Sequence, residues 1–236
     1  MHFRRLLVLN AVGLVLLTCW WVPTLDFWAI LDSDIFWGFN LLISPLNPHW
    51  DTLLGLLNTR AFDACSFLMM GALFTWAMLS DERPYRYRHW LSIGITMLLT
   101  AGLISLFVLR VISYEHASPT RMFAHAQHLS ELVSFKTKDS ASNSFPGDHG
   151  LMLMVFASFM LVFAPRRIAL WSLAFVVLLS APRIMVGAHW FSDVYLGSLS
   201  IALIALPWVL CTPLARTAAS RMERCLARVN QYRPQA

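Results

Sequence analysis

Apolar residues along this chain do not alternate finely with polar ones. They come in long blocks, at about 6–23, 62–80, 90–112, 150–164, 168–187 and 193–212. About 20 apolar residues cross a bilayer core as a helix. The blocks therefore predict an all-α polytopic membrane protein, a bundle of six spanning helices forming one membrane domain over 1–236. The fourth block is short and is expected to extend into the polar residues before it. A basic tail follows at 213–236.

The first block follows Arg4 and Arg5, as a secretory signal peptide would. No A-x-A-like cleavage site comes after it, since Cys19 is followed by Trp20, Trp21 and Pro23, and Thr18 is bulky for the position before a lipoprotein cysteine. A retained signal anchor is the expectation. Residues 24–61 are too apolar for a free loop and too acidic to span. Trp28, Phe36, Trp37, Phe39, Leu41 and Leu42 fit an interfacial segment with its rings at headgroup depth, broken near Pro45, Asn47 and Pro48. Such a segment reads equally as a shelf for entering lipid and as a plain connector.

Composition removes the soluble alternatives. Hydrophobic residues make up 58% of the chain and charged ones only 13%, against about 25% charged in soluble domains. With the N-terminus placed in the cytoplasm and the spans alternating, the cytoplasmic pieces carry Arg4, Arg5, Arg83, Arg86, Arg88, Arg166, Arg167, Arg216, Arg221, Arg224, Arg228 and Arg233. That is the pattern of the positive-inside rule. The opposite face receives Asp26, Asp32, Asp34, Asp51, Asp63, Glu115, Glu131, Asp139 and Asp148. The net charge of +5 is thus a topology signal. The tail reads as a solvated helix touching anionic lipid, and nucleic acid is not an expected partner because no aromatic residues interleave with the basic ones. Cys19, Cys65, Cys211 and Cys225 show no metal-like spacing and read as ordinary hydrophobes.

The longest polar stretch, 113–149, is long for a loop, and long loops are usually functional. It closes on Ser144-Phe145-Pro146-Gly147-Asp148-His149, where the fourth block begins. A turn opening a helix presents free N–H groups and partial positive charge to a phosphate. Gly147 would let an anion approach the backbone. A second cluster is Arg183-x5-His189-x3-Asp193. If both lie on one helix, Asp193 faces His189 across one turn and holds one ring nitrogen, leaving the other as a nucleophile. Arg183 supplies a planar, permanently charged fork for phosphate oxygens. Lys138, Lys136 and Arg121 offer further charge, and Ser144 and Asp148 flank the turn.

Each of these residues has a bland reading: an interfacial histidine, a headgroup-anchoring arginine, an aspartate capping a helix. Charges at membrane depth nevertheless tend to mark function. Two histidines, an aspartate and an arginine converging on one face favour catalysis, by His149, His189 and Asp193. Neither a cofactor nor a metal site is expected, since no cluster of carboxylates remains beyond these.

These motifs resemble those of the type 2 phosphatidic acid phosphatase superfamily. Its second motif ends Ser-Phe-Pro-Ser-Gly-His, matched by Ser144 to His149 with Gly147-Asp148 in place of Ser-Gly. Its third, Ser-Arg-x5-His-x3-Asp, is matched by Arg183, His189 and Asp193, with Pro182 in the serine's place. Its first, Lys-x6-Arg-Pro, is missing: Ser118-Pro119 stands where Arg-Pro would fall, and Arg110, Arg121, Lys136 and Lys138 are the candidate replacements for the lysine.

The departures, with the segments around Asn58 to Asp63, His116 to Thr120, Thr137 to Asp139 and Gly187 to Phe191, resemble a narrower branch of phosphotransferases. That resemblance implies transfer of the terminal phosphate of undecaprenyl diphosphate to the 1-phosphate of lipid A in the lipopolysaccharide core. The products are lipid A 1-diphosphate and undecaprenyl phosphate. It also implies a periplasmic site on a Gram-negative bacterial inner membrane, a phosphohistidine on His189, acid-base work by His149, and charge stabilisation by Arg183 and Lys138. Hydrolysis of undecaprenyl diphosphate or another lipid phosphate uses the same residues and is the alternative. A transporter with a histidine-aspartate proton relay is a remote one, since it would bury these groups deep in the spans and repeat them in two halves.

Overall fold

A polar residue that accepts from a free N–H group lets a helix start earlier than hydropathy suggests. Thr59 Oγ1 accepts from Phe62 N at 3.2 Å, and the span expected at 62–80 is the helix Arg60–Leu79. A computed structural model describes residues 3–22, 26–112, 114 and 116–231. Pro23, Glu115 and Arg233, which entered the sequence reading, lie outside the described residues. In chain order the helices are α1 (Phe3–Trp21), α2 (Phe27–Asn40), α3 (Pro48–Leu56), α4 (Arg60–Leu79), α5 (Arg86–Val111), α6 (Pro119–Met122), α7 (Leu129–Leu132), α8 (Asp148–Phe163), α9 (Arg166–Met185), α10 (Leu199–Leu210) and α11 (Leu214–Gln231). A π-helical turn, Asp193–Ser198, leads directly into α10.

The protein is an all-helical, multi-pass membrane protein. α1, α4, α5, α9 and the continuous run Asp193–Leu210 are long and apolar enough to cross a bilayer. The remaining expected span, α8, has 16 residues and reaches about 24 Å, short of a hydrocarbon core of about 30 Å. It is also the most enclosed helix. Leu151, Leu153, Val155, Phe156, Phe159 and Met160 are buried on all its faces, as expected of a helix apolar all round. α5, α9 and α10 pack around it. The outer helices keep apolar side chains such as Leu99, Leu103, Phe107 and Leu109 exposed, which suits a hydrocarbon surround.

Residues 26–57 are more than a connector. Asp32, Phe36 and Asn40 of α2 are buried, and α2 packs on α9. Asn40 exchanges two hydrogen bonds with the backbone of Gln127, both 2.9 Å, which ties α2 to the long loop. α3 is tied to the same loop through Thr137 Oγ1, which donates to Gly55 O at 3.2 Å. The basic tail helix α11 is likewise docked rather than free. It packs along α5, with Glu223 lying 3.9 Å from Arg88 and 3.4 Å from His89. This places the arginine-rich tail beside the first turn of α5, while Ile112, just beyond the last turn, lines the site at the other end of the bundle. All four cysteines are unpaired.

Candidate active site

The site is assembled where the loop 116–147 meets the start of α8 and the end of α9. α9 stops because Gly187 takes φ +81°, the left-handed conformation glycine adopts without strain. A Cβ there would sit 2.6 Å from the Phe36 ring and 2.7 Å from Thr120. Ala188 and His189 donate their N–H groups back to the Arg183 carbonyl, at 3.0 and 3.1 Å. Arg183 and His189 are thereby fixed to the same turn. Asn58 locks it from the side, donating to the Pro182 carbonyl at 3.0 Å and accepting from Lys138 N at 3.0 Å.

These elements enclose a cleft of about 770 Å³ lined by Asp63, Lys138, Asp148, His149, Arg183 and His189, with Val108, Leu109 and Ile112 of α5 as an apolar wall. Cationic groups and hydrocarbon in one cleft suit a phosphate carried on a lipid. Arg183 is 6% exposed and bonds Asp63 Oδ1 at 2.5 Å, while Lys138 Nζ bonds Asp63 Oδ2 at 2.8 Å. The two cations therefore share one carboxylate.

His189 Nδ1 donates to the Ser144 carbonyl at 2.8 Å. A carbonyl oxygen can only accept, so Nδ1 carries a proton, and in the neutral ring Nε2 holds the lone pair. Nε2 lies 3.9 Å from Asp148 Oδ1. His149 opens α8, and its Nε2 is buried without a hydrogen-bond partner among the described residues.

The carboxylate expected to hold His189 is engaged elsewhere. Asp193, fully buried, lies 3.9 Å from His189 Nδ1. It accepts instead from His116 Nδ1 at 3.1 Å and from Trp190 N at 2.9 Å. The one-turn spacing assumed a helix through both residues, but His189 and Trp190 lie in a bend before the helix resumes at Phe191. The π-helical turn completes the arrangement: Ser198 Oγ donates to the carbonyls of Gly147, at 2.7 Å, and Asp193, at 3.1 Å. Extra residues of this kind in a helix are frequent at functional sites.

Other expectations need correction. Gly147 does not open the backbone to an anion: a Cβ there would sit 2.8 Å from Val194, and its N–H donates to the Asp193 carbonyl at 3.1 Å. Its small size serves the close packing of α8 on the π-helical turn. Ser144 is buried and does not line the cleft. Its N and Oγ both bond the His116 carbonyl, at 2.7 and 2.8 Å. Asp148 lines the cleft with a side chain 91% exposed and accepts from His149 N at 2.6 Å, a carboxylate rather than an anion binder. Lys136 and Arg121 are exposed and line no part of the cleft. Of the four candidates for the missing first-motif cation, Lys138 is the one the cleft contains.

Sequence reasoning passed over His116, Asp63 and Asp32 as site residues. Asp63 is an acid in the first turn of a span, and such a position is itself a signal. Asp32, in α2 outside the spans, accepts from Ser192 N at 2.9 Å and from Ser192 Oγ. Burial pushes its carboxyl up to about 6, against the lowering effect of the Ser192 bonds, and Asp193 adds to the rise. Nothing in the local sequence around His116 points to Asp193, 77 positions away.

Two histidines, an arginine and a lysine thus line one amphipathic cleft of this helical membrane bundle. The sequence profile of the PAP2 superfamily matches residues 117–217, and the chain belongs to that superfamily. Within it, the chain is 40% identical over 233 residues to the lipid A 1-diphosphate synthase of Escherichia coli (strain K12), covering 98% of this chain and 97% of the relative. Among solved structures, a transmembrane PAP2-type phosphatidylglycerolphosphate phosphatase from Bacillus subtilis is 18% identical, with TM-score 0.43, covering 99% of this chain and 100% of that one.

Proposed function

We propose that this protein transfers the terminal phosphate of undecaprenyl diphosphate to the 1-phosphate of lipid A, releasing undecaprenyl phosphate. The observation that carries the reading is the end-to-end similarity to a lipid A 1-diphosphate synthase, and the cleft offers a chemistry that suits it. His189 Nε2, with its proton partner Nδ1 fixed on the Ser144 carbonyl, attacks the terminal phosphorus. The bond from that phosphorus to the bridging oxygen breaks, and the electron pair leaves with undecaprenyl phosphate. His149 donates a proton to that leaving group. A lipid A 1-phosphate oxygen then attacks the phosphohistidine, the P–N bond breaks, and His189 is regenerated. His149 takes the proton of the attacking phosphate hydroxyl in this second step, which restores its acid form. Arg183 and Lys138 stabilise charge on the transferring oxygens.

The arginine distribution supports cytoplasmic termini and a periplasmic site in an inner membrane. The test is purified protein in micelles with undecaprenyl diphosphate labelled in its terminal phosphate, with and without lipid A. Label is expected on lipid A. Release only as inorganic phosphate in both conditions identifies a phosphatase and sinks the transferase reading.

A further inference from the structure

A second cavity, of about 450 Å³, is lined by His116 and Trp190, the two residues that bond Asp193. Its walls include Trp21, Trp28, Tyr114 and Phe123, with Asp26 and Asp32 as acidic groups. Among the described residues no lysine or arginine lines it, whereas the phosphate cleft holds Lys138 and Arg183. Flat aromatic faces beside carboxylates suit a pyranose: the ring's C–H face lies on an indole or phenol, and hydroxyl or amine groups donate to the acids.

Two relationships join this cavity to the cleft. First, His116 lines the cavity and bonds Asp193 Oδ1 at 3.1 Å, while Asp193 Oδ2 lies 3.9 Å from His189 Nδ1. A single carboxylate thus stands between the two chambers. Second, an apolar groove of about 640 Å³ between α1 and α5 shares Trp21 and Tyr114 with the cavity, and Ile112 and Phe145 with the cleft. The groove thus shares walls with both polar chambers and lies beside each.

We infer that the aromatic, acidic cavity binds the sugar headgroup of the phosphate acceptor. This rests on the transferase reading above, in which the donor carries no sugar and the acceptor does. A ligand with its sugar in the cavity and its phosphate toward Arg183 and Lys138 of the cleft finds partners in both chambers. The polyprenyl donor has groups for only one of them.

The test uses Trp28→Ala and Asp26→Asn, residues at the cavity and outside the cleft. In the labelled-donor assay each is expected to raise the KM for lipid A about tenfold, the effect of losing one stacking ring or one hydrogen-bonded carboxylate. The donor KM should stay within twofold. An unchanged lipid A KM, with wild-type transfer intact, overturns the cavity assignment and leaves the transferase reading standing. If the wild type transfers nothing to lipid A, the transferase reading has failed, and a second measurement decides the cavity. That measurement is quenching of tryptophan fluorescence by a phosphate-free, acylated glucosamine disaccharide in micelles. Saturable binding weakened about tenfold in Trp28→Ala supports a sugar site, and absence of binding to the wild type overturns it.

Discussion

His116 Nδ1 donates to Asp193 Oδ1 at 3.1 Å, and its ring stacks on Trp190 at 5.7 Å and 25°. Asp193 also accepts from Trp190 N, so one carboxylate organises both histidine-bearing segments. His116→Ala is expected to lower kcat about ten- to a hundredfold, the effect of losing a charge-assisted hydrogen bond. The variant should also change the pH profile of kcat. A rate loss with an unchanged profile would mark His116 as structural only.

His189→Gln tests the nucleophile. Transfer is expected to fall by at least about a thousandfold. The melting temperature should move by only a few degrees, because the glutamine amide is able to donate to Ser144 O. Trapping labelled phosphate on wild-type protein but not on the variant completes the check. Retention of more than about a hundredth of the activity would remove His189 from that role.

Lys138 and Asp63 separate charge from stability. The lysine is 49% exposed, and exposed ion pairs contribute little to folding. Lys138→Met is expected to raise the donor KM about tenfold with no measurable loss of stability. Asp63→Asn removes the charged partner of the buried Arg183 guanidinium, which costs about 3 kcal/mol or more. Thermal unfolding in micelles should therefore rank Asp63→Asn well below Lys138→Met.

Gly197 lies beneath Phe145, and a Cβ there would meet the ring at 2.4 Å. Phe145 has little room to give, since its ring also stacks on Trp20 at 4.5 Å. Gly197→Ala is expected to destabilise by about 1–3 kcal/mol and to lower activity by shifting the 144–149 turn. Gly71→Ala, with nothing within 4 Å, should leave both unchanged.

Asp32 gives an unusual pH signature. Its carboxyl is raised from 3.8 to about 6 in the folded protein, mainly by burial. The folded state therefore binds more protons than the unfolded one between these values, and stability from this group falls as pH rises through that window. Asp32→Asn does not titrate. The melting temperature of the wild type relative to this variant should drop between pH 4 and pH 7, and a constant difference would contradict the assignment.

The sequence by itself determined the broad plan. Long apolar blocks require hydrocarbon around them. The arginines mark one end of the bundle, and the motif spacing named His149, His189, Arg183 and Asp193. Those signals are local, arising from block length and from residues within one or two turns of each other. Tertiary structure decided the partnerships. Asp193 with His116 spans 77 positions, Arg183 with Asp63 spans 120, and Asp32 with Ser192 spans 160. No periodicity encodes such pairs. The same reason explains why Asp193 does not hold His189. Helical spacing implies contact only along a continuous helix, and the bend at His189 and Trp190 hands His189 to the Ser144 carbonyl and turns Asp193 toward His116.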